Sequence, residues 1–361
     1  MIGCTDASQD DLDPPKVGVT ELDLGAITTD VPFTVAVPKN AIGFHVIVQV
    51  DGSVGTEQVG ISDVVSPSGE VVVADFYSPG NHVPFATDFG IVAVSIPQTS
   101  ATAKDPVEAG EWTVTASVGN NAPAHAKAYV RTTEDGQFHG GELDVRIYIP
   151  DGLIVATPSA HAITAATAAS DPTITAQVDS FYTTLEEVFD LDRGNVEFVA
   201  LPGEFTEIAD LAKRDEALRM TSSPGADPAM HFVLVNTLEY ANGNTAWGMT
   251  PWNPATAMTT GHPMSGVFVN ISLSMSGAAD GMTMVHELGH FLGLYHTTEG
   301  IRSYHDPLDD TPECQGSDTV CPDGHNIMFV TFYGASGGVG LTASDQQRRV
   351  VWGSPLYRAA N

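Results

Sequence analysis

Positive charge is scarce in this chain. There are 14 Lys and Arg against 45 Asp and Glu, a formal net charge of −31 over 361 residues. Such a surface repels polyanions, which excludes nucleic acid and anionic membrane as partners. The acidity reads as solvation in salty surroundings, with a share of the carboxylates offering calcium the hard oxygen ligands it takes. Long apolar runs are missing too. No stretch approaches the ~20 consecutive apolar residues that span a bilayer, which excludes a membrane-crossing helix. No internal repeat is present. Cysteine is limited to Cys4, Cys314 and Cys321, too few for a recognisable cysteine-based zinc pattern. The short Gly-, Ser- and Asp-rich segment between Cys314 and Cys321 favours a local disulfide in an exported protein. Two free thiols, or a zinc site completed by His305 or His325, are the other readings.

What is there divides in two. A chain of this length exceeds one core of typical size and predicts a multidomain protein. Residues 1–30 are acidic, polar and Pro-containing, the composition of a flexible tether. From 31 to 131 short apolar runs recur: Phe33–Val37, Phe44–Val50, Val71–Val73, Ile91–Ile96 and Trp112–Ala116. Turn sequences such as Asp51-Gly52, Ser66-Pro67-Ser68-Gly69 and Ser78-Pro79-Gly80 separate them. Short strands at this spacing, with no helical period between them, predict an all-β antiparallel sandwich. Residues 132–141 read as a linker. From 142 to 361 the pattern is mixed α/β (α+β), with strands at Leu143–Ile149, Val196–Leu201, His231–Val235 and Val267–Ile271. Asp171-Pro172 opens a helix whose Ile174, Val178, Phe181, Leu185 and Val188 share one face, and a shorter helix is predicted over 208–220.

Residues 286–296 read His-Glu-Leu-Gly-His-Phe-Leu-Gly-Leu-Tyr-His. On a helix, positions i and i+4 share a face, so His286 and His290 can present imidazoles to one metal. Glu287 points away from that shared axis and can reach a water on the metal rather than the metal itself. Gly293 lets the chain leave the helix through a left-handed conformation, which brings His296 round as third ligand. Three protein ligands leave a fourth position open, the mark of a catalytic rather than a structural zinc. A single His on an apolar helix face is usually a core residue, but five fixed residue types at set spacing are far more specific.

This extended motif resembles that of the metzincin metallopeptidases. Its downstream sequence is similar to their pappalysin-like branch: Asp306 to Pro312, the cysteine pair, Asn326-Ile327-Met328, then Leu341 to Arg349. The resemblance covers about 280–350 and, more loosely, the run from 143. It implies a metzincin-type zinc peptidase domain, with Met328 as the Met-turn residue beneath the histidines. Asp306, Asp309 and Asp310 fall where some relatives bind calcium; solvated turn residues are the other reading. Members of the branch often carry a Tyr two residues after the Met, where this chain has Val330; Tyr304 and Tyr333 are candidate substitutes. The Ser-Pro-Ser-Gly turn and the later Ala-Gly-Glu-Trp-Thr-Val resemble jelly-roll accessory domains of secreted bacterial proteases. Met1-Ile2-Gly3-Cys4 with its polar tail resembles a bacterial lipoprotein cleavage site, making Cys4 a candidate lipid anchor and the only route to a membrane. A fortuitous match, and a thiol that blocks the metal of a latent precursor, are the competing readings of Cys4.

These readings imply an exported protein, held at a bacterial cell envelope or secreted, that hydrolyses peptide bonds of extended protein or peptide substrates. Glu287 would serve as general base. The resemblance implies that the strand at Val267–Ile271 borders the cleft and pairs with substrate. The competing class is a surface-displayed binding protein, whose sandwich takes an unidentified ligand and whose peptidase domain has decayed. The missing Tyr leans that way, and the intact Glu287 leans against it. A narrow processing protease whose sandwich selects the target stays within the enzyme reading.

Overall fold

A computed structural model describes residues 17–359 apart from 54–56, 75–85, 88, 157–158, 222–227, 241–242, 274–276, 301, 303, 319 and 331–340. Cys4, the turn at Ser78–Gly80 and Tyr333 therefore lie outside the described residues. The chain is mostly β with some helices. It opens with β1 (Gly18–Ile27), β2 (Phe33–Val37), β3 (Ala41–Val50), β4 (Val59–Val65), β5 (Val71–Ala74), β6 (Ala86–Thr87), β7 (Ile91–Ile96), β8 (Gly110–Val118) and β9 (Ala124–Thr132). These form two antiparallel sheets, ordered β1-β9-β3-β7 and β2-β8-β4-β5, with β6 also on β4. Alternation along the strands sends Phe44, Val46 and Val48 from one sheet and Trp112, Val114 and Ala116 from the other into one apolar cluster. Phe44 and Trp112 meet there edge to face, with ring centroids 5.2 Å apart.

The tether expected over residues 1–30 is corrected for 18–27. β1 pairs along its length with β9, Gly18 opposite Thr132 and Ile27 opposite Ala124. Leu22, Leu24 and Ile27 turn to the apolar cluster while Glu21 and Asp23 face solvent. The two-residue period was present, but the acidic positions masked it. β9 itself went unread because alanine, lysine and histidine are poor strand formers, yet it lies between β1 and β3.

The second half contains β10 (Gly141–Pro150), the hairpin β11 (Leu153–Val155) and β12 (His161–Ile163), α1 (Ala165–Ala168), α2 (Pro172–Phe189), β13 (Asp192–Leu201) and β14 (Glu207–Ile208). It continues through α3 (Leu211–Arg219), β15 (Met230–Val235), β16 (Thr237–Leu238), β17 (Gly248–Met249), β18 (Val267–Asn270), α4 (Gly277–Leu292), α5 (Asp345–Trp352) and β19 (Arg358–Ala359). The main sheet runs β13-β10-β15-β18-β17. Its first four strands are parallel and β17 is antiparallel. Parallel neighbours need a crossover, and α2 supplies the one from β10 to β13. The Asp171 carboxylate caps α2 by accepting from the N–H groups of Thr173 and Ile174. The shorter predicted helix starts only at Leu211, because Asp210 caps it and Ile208 pairs with Leu238 instead. Among the described residues no helix is long and apolar enough to cross a membrane.

The outer face of the β1-β9-β3-β7 sheet lies against the second half. Ile47, Ile91, Ala93 and Tyr129 cluster with Met264, and Trp252 packs at the margin. On the same strands His45 is buried, its Nδ1 2.8 Å from Ser95 Oγ. Burial pulls His45 down to about 3, and burial aided by Arg146 pulls His231 down to about 4. Both rings are neutral in the fold and take up a proton on unfolding below about 6.5. Their contribution is therefore complete above that pH and is lost as pH falls toward 4, at about 1.4 kcal/mol per pH unit for each group. Urea midpoints measured from pH 8 to pH 4.5 should be flat at first and then fall, and His45→Asn should flatten the acid limb. An unchanged limb in that variant would exclude His45 as a source.

Candidate metal centre

α4 carries the site. Met284, Val285, Leu288, Phe291 and Leu292 bury one face in the main core, which turns His286 and His290 out together. Gly293, at φ 118°, ends the helix in the conformation expected of glycine there. Leu294 then donates back to Gly289 O at 2.8 Å, and His296 comes round to the pair. The three Nε2 atoms lie 3.0, 3.2 and 3.3 Å apart. Each Nδ1 is engaged elsewhere: His286 with Ile327 O at 2.7 Å, His290 with Leu294 O at 2.7 Å, His296 with the Glu299 carboxylate at 3.0 Å. These acceptors hold each ring proton on Nδ1, so three Nε2 lone pairs face one another. Three acceptors cannot satisfy each other, but a cation between them satisfies all three. Tetrahedral zinc with Zn–N of ~2.0–2.1 Å separates its nitrogens by about 3.3 Å, so the residues fit that ion. Burial pulls His286 down to about 3 and His290 well below its ordinary value, which keeps both in the neutral ligand form.

Glu287 lies in the same wall, 6% exposed. The Thr250 hydroxyl is within reach of both its Oε2 (2.7 Å) and its backbone O (2.9 Å). Burial pushes the carboxyl up to about 7, against the opposing effects of Thr250 and His296; a dication beside it would favour the carboxylate. A Cβ on Gly248 would come within 2.5 Å of Glu287 Cγ and Oε1. Only glycine lets β17 lie directly on this carboxylate. Gly248→Ala is therefore expected to displace Glu287 and lower turnover of any substrate at least ~10-fold, with metal content unchanged. Metal analysis beside steady-state kinetics would check it, and parent-like turnover would show that the carboxylate tolerates the methyl group.

β17 also corrects an expectation. Val267–Ile271 was expected to border the cleft and pair with substrate. β18 is instead flanked on both sides, by β15 and β17. The rim strand is β17, whose two residues are too few to show any alternation in sequence. Beneath it lies a cleft of about 620 Å³ whose lining includes His286, Glu287, His290, His296, Tyr240 and Trp247.

The remaining candidates fall as follows. Met328 is fully buried, its sulfur against Gly289 between the first two histidines. Asn326 holds that turn by accepting from Met328 N–H (2.8 Å) and exchanging amide hydrogen bonds with Gln347 of α5 (2.8 and 3.1 Å). Cys314 and Cys321 are joined as a disulfide. Asp306, Asp309 and Asp310 are not gathered into one ligand set. Asp306 is buried and takes the Thr311 hydroxyl at 2.6 Å, Asp309 is exposed, and Asp310 accepts from Gln346 N–H at 2.9 Å. Val330 lines the cleft, and Tyr304 does not. Gly248, Thr250, Glu299 and Asn253 were missed by sequence reading. Asn253 Nδ2 donates at 2.5 Å to Leu294 O, the same carbonyl that orients His290. Nothing in the sequence marks these residues, because their partners are brought to them only by folding.

Residues 228–332 match the family model Peptidase_M43, described as pregnancy-associated plasma protein-A. An "Extracellular metalloprotease" of Pyricularia oryzae is 35% identical over 78 residues, 20% of this chain and 28% of that protein. The match thus spans little more than a quarter of the relative's length. Among solved structures, metalloproteinase-II from Bacteroides fragilis aligns over 51% of this chain and 57% of its own at 14% identity and a TM-score of 0.27. A disulfide-linked pilus protein of Bacillus endospore appendages aligns over 37% of this chain and 97% of its own, at 8% identity and a TM-score of 0.18. Likenesses this faint do not bear on the fold.

Proposed function

We propose, from the match of residues 228–332 to the pappalysin family model and to an extracellular metalloprotease, that the protein is a zinc-dependent endopeptidase acting on extended protein or peptide substrates. The observation that carries the proposal is the convergence of three Nε2 lone pairs at 3.0–3.3 Å beside a buried glutamate that is not one of them. His286, His290 and His296 would hold the ion. Zinc bound there supplies Lewis acidity, lowering the pKa of a bound water toward ~7 and polarising a carbonyl. Glu287, aimed by Thr250, takes a proton from the attacking water and passes it to the leaving amine. The open edge of β17 offers backbone groups to a substrate strand, which favours an extended chain over a small molecule. Met328 packs beneath the ligands and stiffens them.

In this reading the two N-terminal sheets are a β-sandwich accessory domain, residues 18–132, followed by a short linker and a metzincin-type α/β domain from 141 onward. An exported location accords with the disulfide and with the extracellular relative. Calcium at Asp306, Asp309 and Asp310 has no support from their separated positions and is not part of the proposal. The test is to incubate the zinc-loaded chain with a mixed peptide library and read new termini by mass spectrometry. Cuts that a zinc chelator abolishes are the expected result. No cuts from protein carrying one zinc per chain would overturn the proposal.

A further inference from the structure

Peptide hydrolysis places negative charge on the scissile carbonyl oxygen. A donor held where that charge appears lowers the barrier further than a metal alone. The cleft's own hydroxyls can be taken in turn. That of Thr250 is engaged with Glu287. That of Thr283 donates to Ala279 O at 3.1 Å. Tyr295 belongs to the same lining, but its hydroxyl is buried, with no accessible surface to offer a substrate, and Val330 has none. Thr245 is exposed on a short stem, in a backbone bridge with Glu239.

Tyr240 is different. It lines the cleft and is 47% exposed. Its backbone is fixed: its N–H donates to Asn244 O at 2.8 Å, and its carbonyl accepts from Gly243 N–H at 2.8 Å. Just before it, Glu239 N–H donates to Ile208 O at 2.9 Å. Burial, then the negative charges of Glu287 and Glu299, raise its phenol above the ordinary value, so it stays a protonated donor. Of those two carboxylates, one is beside His286 in sequence and the other is on His296 Nδ1.

Resting on the proposed peptidase function, we propose that Tyr240 is a catalytic residue whose hydroxyl donates a hydrogen bond to the scissile carbonyl oxygen as the tetrahedral centre forms. The proton stays on the phenol throughout. The sequence-expected substitute, Tyr304, has no part in this, since it does not line the cleft.

The test compares zinc-loaded parent, Tyr240→Phe and Tyr304→Phe on a peptide the parent cuts. A phosphinic peptide of the same sequence serves as a tetrahedral mimic, with its binding read by calorimetry. Tyr240→Phe should lower kcat by about 10–100-fold with KM within twofold, and weaken phosphinate binding by a similar factor at unchanged zinc content. Tyr304→Phe should match the parent in all three. A Tyr240→Phe variant with parent-like kcat and phosphinate affinity would overturn the assignment while leaving the peptidase intact. So would a rise in KM alone, which would make Tyr240 a ground-state contact. A parent that cuts nothing would overturn the peptidase reading, and this assignment with it.

Discussion

Glu287→Gln is expected to lower kcat by about 10³–10⁴-fold while the chain keeps one zinc and a near-parent KM. The pattern follows from where the carboxylate sits. It shares α4 with His286 and His290, but its oxygens face Thr250 and the rim strand rather than the Nε2 cluster. Losing its charge therefore leaves the three ligands in place. It removes the base that would take a proton from water and the acid that would return it to the amine, and both losses appear in the turnover step. His286→Ala should behave in the opposite way, losing metal first and activity as a consequence. Zinc stoichiometry by elemental analysis, measured beside kcat, separates the two. A Glu287→Gln protein retaining more than about a tenth of parent kcat would remove this residue from the role of base.

Arg131→Met is expected to destabilise the folded chain by about 3–5 kcal/mol. Arg131 is 2% exposed at the end of β9. Its Nε donates at 2.5 Å to Ser354 O, its Nη2 donates to Tyr357 O, and its guanidinium lies 3.6 Å from the centroid of the Tyr357 ring. The charge is thus held by carbonyls and an aromatic face, and burial lowers its pKa. Methionine matches its bulk but leaves both carbonyls without this donor in a site closed to water. Lysine keeps the charge but not the planar fork or the stack, and should recover only part of the loss. The residues it grips precede β19, which closes on β10 of the main sheet. Arg131 therefore ties the N-terminal sheets to the C-terminal segment that completes the other half. Denaturant unfolding of parent and both variants gives the values. A difference below about 0.5 kcal/mol for Arg131→Met would mean that water reaches those carbonyls.

The candidate metal centre could be read in sequence because its spacing is local. Helical period places His286 and His290 on one face, Gly293 turns the chain, and His296 lies six residues from His290. All of this follows within one turn and one helix end. The predicted strands of the main sheet and the helix capped by Asp171 were readable for the same reason, since apolar period and capping residues belong to short stretches. β1 was lost to the acidity of its solvent face, and β9 to its alanines. The apolar run Val267–Ile271 announced a strand, but its place at the cleft came only from the resemblance, and a run of apolar residues does not tell whether a strand lies inside a sheet or at its edge.

Sequence by itself determined that three histidines and one glutamate share a helix and a turn, and hence which metal chemistry is open to the chain. Only the tertiary structure decided what surrounds them. It set Thr250 and Gly248 against Glu287, Leu294 and Ile327 carbonyls on two ring nitrogens, and Tyr240 in the lining of the cleft. It also put Arg131 under a C-terminal segment more than two hundred residues away. The physical reason is range. Ligand spacing depends on the helix repeat, which every residue carries in its own backbone. The orientation of a ligand and the pKa of a base depend on neighbours that arrive from distant strands only when apolar burial closes the core.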